Sequence, residues 1–193
     1  MDFLGGFLKS MVLLFIIMNP FASLPLFLSL TKGLSKKTVS QSADDAVIVA
    51  ACLLYVFLFF GTGILLFFDV SFSSFQIAGG VVLLLMAIEI ILGIKIIEAQ
   101  AKKNHSAMVI IGTPLLTGPG VISTVVILSS EFGWPIVFAA GTAALFSAWL
   151  VLRNAERLQK ALGEATIEAV SKMIGLLLAA TAVELIRKGL ADG

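Results

Sequence analysis

The sequence predicts an all-α membrane protein: six transmembrane helices arranged as two inverted three-helix repeats, with discontinuous first and fourth segments. Three observations carry this. Hydrophobic residues make up 59% of the 193-residue chain, charged residues 13%, and the mean hydropathy is +1.08, whereas soluble domains carry about 25% charge. Apolar runs lie near 4–30, 46–68, 75–97, 107–129, 133–152 and 169–190, each close to the roughly 20 residues that span a bilayer. Four of the five prolines form two pairs, Pro20 with Pro25 in the first run and Pro114 with Pro119 in the fourth.

Taken in order, the first run starts near Met1 with only acidic Asp2 ahead of it. It lacks a basic n-region and a small-residue cleavage site, so it is expected to be retained and not cleaved as a signal. Asp44 and Asp45 precede the second run and are expected to cap it. Cys52, the only cysteine, excludes an intrachain disulfide and reads as a packing residue. Asp69 is expected to close the turn after this run, and Gln76 to open the third. Gly61-Thr-Gly63 and Gly79-Gly80 are small patches that let helices approach closely. Neither is a phosphate loop, because neither follows a strand or precedes Lys-Ser/Thr. Phe67, Phe68, Trp134 and Trp149 lie near run ends and read as interface or lipid-facing residues. The polar stretch 153–168 reads as a short amphipathic cytoplasmic helix ended by Gly163, and His105 as solvated in a basic link. No metal cluster, nucleophile elbow or Cys-His pair is present, so the chain is read as a non-enzyme without cofactor. The net charge of +1 and the lack of a basic arm give no reason to expect nucleic acid.

The two halves match. An offset of 94 residues places Asn19-Pro20 on Thr113-Pro114, Ser23 on Thr117 and Pro25 on Pro119. An offset of 95 places Gly80 on Gly175 and Glu89 on Glu184. Residues 1–98 are thus one three-helix repeat and 99–193 the second. An odd number of spans per repeat makes the second enter the membrane from the opposite side. Ten of the thirteen basic residues fall in the three links on one face, including Lys32, Lys95 and Arg157, against Lys9, Arg187 and Lys188 on the other. The positive-inside rule puts the lysine-rich links in the cytoplasm of a cell-membrane protein and both termini outside.

Proline removes a backbone donor and breaks a helix. At membrane depth such a break survives only inside protein or beside a water-filled cavity. Interrupted segments at matching positions of two halves point to a transporter's binding site. Each break offers N–H groups that favour anions and carbonyls that favour cations. A small zwitterionic or polar solute suits two facing breaks. The candidate binding residues are Asn19, Pro20, Ser23, Pro25, Thr113, Pro114, Thr117, Gly118, Pro119, Gly120, Ser123 and Thr124. The alternative at this point is that the prolines only kink helices for packing. Glu89 and Glu184 are candidates for binding a coupling proton or sodium ion. Their bland alternative is a local ion pair, Glu89 with Lys95 and Glu184 with Arg187 or Lys188.

Residues Met18-Asn-Pro-Phe-Ala-Ser-Leu-Pro-Leu-Phe-Leu-Ser-Leu-Thr31 and Gly112-Thr-Pro-Leu-Leu-Thr-Gly-Pro-Gly-Val-Ile-Ser-Thr124 resemble the two signature segments of the MarC family of prokaryotic inner-membrane proteins. The resemblance covers essentially the whole chain. Some archaeal members, called SnatA, carry small neutral amino acids. The resemblance therefore implies glycine or alanine as substrate, where the residues alone implied only a small zwitterionic or polar solute. The competing expectation is a membrane scaffold or partner-binding subunit, with a channel as a lesser third. A scaffold has no need of Ser23, Thr117 and two glutamates inside the bilayer. The oligomeric state, a homo-oligomer included, is open.

Overall fold

The computed structural model describes residues 3–93 and 116–191, and these are helical almost throughout. Lys95, Lys102, Lys103, His105, Thr113 and Pro114 lie outside the described residues. The first run is two helices, α1 (Phe3–Met18) and α2 (Pro20–Leu30), broken at Asn19. α3 (Lys36–Phe67) and α4 (Phe72–Leu92) follow. In the second half come α5 (Pro119–Phe132), α6 (Trp134–Arg153), α7 (Ala155–Leu162) and α8 (Glu164–Ala191). Among the described residues, five stretches are long and apolar enough to cross a membrane: Phe3–Leu30, α3, α4, α6 and α8. The shorter α5 is also apolar. The chain is an all-α, multi-pass membrane protein.

Helix ends follow local chemistry. Ser35 caps α3 by accepting from the Thr38 N–H at 3.2 Å, and Ser71 caps α4 by accepting from the Ser74 N–H at 3.1 Å. The expected caps therefore lie elsewhere. Asp44 and Asp45 sit more than two turns inside α3, which starts ten residues ahead of the apolar run because its polar first turns already have a serine cap. Gln76 is buried within α4 and does not open it. Asp69 (φ 53) does turn the chain between α3 and α4, and Gly163 (φ 77) ends the short helix α7.

Small residues set the packing. In lipid, helices gain little from hydrophobic burial and associate through close backbone approach and hydrogen bonds. α3 turns Ala43, Ala46, Ala50 and Gly61 inward, and α6 turns Ala140, Gly141, Ala144 and Ala148 inward. These two helices run antiparallel. Tyr55 meets Thr142 through hydroxyls 2.8 Å apart, while a turn or more away along both helices Trp149 Nε1 donates to Asp44 Oδ1 at 2.6 Å. Trp149 is thus tied to a carboxylate and only half-buried; it does not face lipid freely as its place near a run end suggested. Arg153 adds a contact to Asp44 at 3.3 Å. Cys52 is exposed on α3, so it contributes no core packing.

α4 and α8 form the closest seam, also antiparallel. A Cβ on Gly80 would lie 2.8 Å from the Ala182 carbonyl oxygen, and one on Gly175 would lie 2.9 Å from Ile90. α5 lies against α3 and α4: Gly61 faces Val126, Gly79 faces Ser123 and Gly120 faces Leu83. α1 packs against α5 and α6, where Gly6 meets Phe132 and Ile136. α2 lies against α6, α7 and α8.

Candidate functional site

The first break is built by Asn19-Pro20. Pro20 has no N–H, so the Ile16 carbonyl loses its usual helical donor. The residue ahead of a proline is pushed out of the helical region. Asn19 takes up the left-handed conformation instead (φ 37, ψ 63), which asparagine tolerates better than most side chains. It closes both helices. Its N–H donates to the Phe15 carbonyl at 3.1 Å, and its Oδ1 accepts from the Ala22 N–H at 3.3 Å, capping α2. The Ser23 hydroxyl reaches back to the Asn19 carbonyl at 3.5 Å. Pro25 sits inside α2, which continues past it, so the break is at Pro20 alone.

Of the second proline segment, the described residues begin just ahead of α5. Gly118 is extended (φ −66, ψ 174) and supplies no side-chain cap, and Pro119 opens the helix, the position where a missing N–H costs least. The N–H groups of Val121 and Ile122 both donate to the Gly118 carbonyl, at 2.9 and 3.2 Å. Gly120 packs against Leu83 and Met86 of α4, and Ser123 against Gly79.

The polar side chains at these breaks are deeply buried. Asn19 is 3% exposed, Ser23 1%, Thr117 2% and Thr124 1%. Three of their polar atoms have no hydrogen-bond partner among the described residues: Asn19 Nδ2, Thr117 Oγ1 and Thr124 Oγ1. A buried polar group left unsatisfied costs about 1–3 kcal/mol. Ser10 Oγ and Gln76 Oε1 are in the same condition. Neither was a candidate from the sequence, where an isolated Ser or Gln in an apolar run carries no periodic signal; only burial without a partner distinguishes them.

α1 and α5 run antiparallel. Lys9 Nζ and Glu131 Oε1 pair at 2.8 Å at one end. From there the chain runs ten residues to Asn19 and thirteen back to Gly118, roughly 15 and 20 Å at 1.5 Å per residue. Counted along their helices, Asn19 and Gly118 therefore lie at comparable distances from this ion pair.

The glutamates are not brought together. Glu184 is held in a fork by Arg187, with Nε at 2.9 Å and Nη2 at 2.7 Å, as the local-pair alternative expected. Glu89 is half-buried in the last turn of α4, where Gly93 (φ 68) ends the helix, nearer its end than the apolar run suggested. Because α4 and α8 are antiparallel, the two carboxylates sit toward opposite ends of that seam. Among the described residues, no three His, Cys, Asp or Glu side chains gather as a metal site.

Apolar helices of spanning length, a proline-broken first segment and buried polar groups at the break define a multi-pass helical membrane protein with an internal polar site. The chain belongs to the MarC family: the description "MarC family integral membrane protein" matches residues 4–192. It is 35% identical over 188 residues to a UPF0056 membrane protein of Methanocaldococcus jannaschii, covering 92% of each chain. It is 30% identical over 181 residues to one from Pyrococcus abyssi, covering 92% of this chain and 90% of the other. The UPF0056 inner membrane protein YhgN of Escherichia coli is 29% identical, with 95% of each chain covered. No solved structure matches the chain.

Proposed function

We propose that the protein is a secondary active transporter of small neutral amino acids such as glycine and alanine, coupled to protons or sodium, with the solute held between the two broken segments. The observation that carries this reading is the set of buried, unpartnered atoms at the breaks, Asn19 Nδ2, Thr117 Oγ1 and Thr124 Oγ1. A structural kink satisfies its polar groups internally. These groups find no partner among the described residues, and their chemistry (one amide donor and two hydroxyls that donate or accept) matches a carboxylate and an ammonium on one small solute. Glu89 and Glu184 stand as the candidates for the coupling ion.

The inverted repeat belongs to this reading and has support in the packing. The α4–α8 seam joins the third segment of each half, with Gly80 of one against α8 and its repeat mate Gly175 against α4. Packing of α1 on α6 has its counterpart in α5 on α3. The lysine-rich links lie in the cytoplasm, and the end carrying Lys9, Glu131 and Lys188 faces outward.

Uptake of radiolabelled glycine and alanine into proteoliposomes, with and without imposed proton and sodium gradients, tests the proposal. Saturable, gradient-dependent uptake is expected. Ser23→Ala and Thr117→Ala should each weaken uptake by roughly tenfold while leaving folding intact, the loss expected from one hydrogen bond of about 1.5 kcal/mol to a charged solute group. Unchanged uptake in both variants would remove the site from the breaks.

A further inference from the structure

A cleft of about 690 Å³ opens between α1, α5 and α8. Each helix gives it one continuous face. α5 contributes Thr124, Ile127, Leu128 and Glu131, spaced at three, four and seven residues, the spacing of a single helical stripe. Four charged side chains line the cleft: Lys9 on α1, Glu131 on α5, and Glu184 and Lys188 on α8. They sit toward the outer ends of their helices. Thr124 lies two turns deeper than Glu131, about 10 Å, and Gly118 a further ~9 Å along the same helix. The cleft therefore runs from a charged rim to Ile16 on α1, one turn short of Asn19, and to Thr124 on α5, about 9 Å short of Gly118.

We propose that this cleft is a water-filled approach to the breaks, in which a zwitterionic solute first meets the protein. The proposal rests on the transport reading above. Its walls are largely aliphatic, so a lipid acyl chain is the rival occupant. The rim decides between them. A charged side chain costs about 2.5–3.5 kcal/mol at the centre of a membrane helix and less toward its ends, so the four charged residues at the rim mark the level where water reaches the mouth of the cleft. Lys9 and Glu131 pair with each other and Arg187 forks Glu184, so the mouth presents charges of both signs, with Lys188 beside them, and a zwitterion exchanging with these pairs meets a partner for each of its ends. An acyl chain would also leave the buried Thr124 hydroxyl unpartnered, where water or solute can reach it after a side-chain rotation.

Cysteine accessibility tests this. In a Cys52→Ala background, Ala180→Cys and Thr181→Cys place a thiol on the cleft lining, and Val183→Cys places one at the same depth on an exposed face outside it. The probe is a membrane-impermeant, positively charged methanethiosulfonate applied to proteoliposomes. The cleft thiols are expected to react roughly tenfold faster than the Val183→Cys thiol, because the attacking thiolate forms in water and not in hydrocarbon. Equal, slow labelling at all three positions would mean a lipid-filled groove and overturn the proposal. Fast labelling of both cleft thiols in protein that takes up no amino acid would support the wet cleft while sinking the transport reading, so the two failures are distinct.

Discussion

Asn19 combines a left-handed backbone (φ 37), a side-chain cap on Ala22 and an unpartnered Nδ2 in one buried residue. These roles separate by substitution. Asn19→Ala loses the cap and forces a Cβ into a conformation that costs roughly 1–2 kcal/mol, so its unfolding in detergent should fall by about 2 kcal/mol once the cap is counted. Asn19→Gly keeps the backbone comfortable and a glycine cap costs only a few tenths of a kcal/mol. It should fold like the parent chain yet take up glycine poorly; normal uptake would show that Nδ2 touches no solute. Glu89→Gln should abolish the dependence of uptake on the proton or sodium gradient. Retained dependence would assign Glu89 to structure. The candidate residues around the first break were legible because proline and asparagine act locally, through a missing donor and a permitted φ. Ser10 and Gln76 were not, since their significance comes from neighbours brought in by other helices.

At the scale of elements, the α4–α8 seam depends on glycine. A Cβ on Gly80 meets Ile186 at 2.7 Å and the Ala182 carbonyl oxygen at 2.8 Å, whereas one on Gly63 meets nothing within 4 Å. Gly80→Ala should therefore destabilise the protein by roughly 1–3 kcal/mol through forced separation of the helices. Gly63→Ala should be neutral or stabilise by up to about 1 kcal/mol through helix propensity. Unfolding in detergent measures both, and equal effects would show that the seam is not close-packed. Apolar length located α6 and α8 to within a few residues. It misjudged the start of α3, because Ser35 caps a helix that extends well ahead of its apolar part. It also gave Asp44 to a cap, when its partners are Trp149 and Arg153 on a helix more than a hundred residues away in sequence.

For the whole molecule, the start of α1 and the end of α8 belong to one end of the bundle: Lys9 and Lys188 line the same cleft. Tags fused to the two termini should be digested together by protease from one side of the membrane, and the positive-inside rule makes that the outer side. Digestion of the tags from opposite sides would exclude an even number of spans and the inverted repeat with it. Composition and apolar run length were enough by themselves to determine an all-α membrane protein, because lipid offers backbone groups no partner and admits few spanning structures. The proline pairs likewise located the first break, since a missing N–H acts on its own segment. Tertiary structure alone decided which helices pair, that Glu89 and Glu184 sit apart, and which hydroxyls and amides find no partner among the described residues. Those facts depend on contacts between residues distant in the chain, where small side chains allow close approach but do not name the partner.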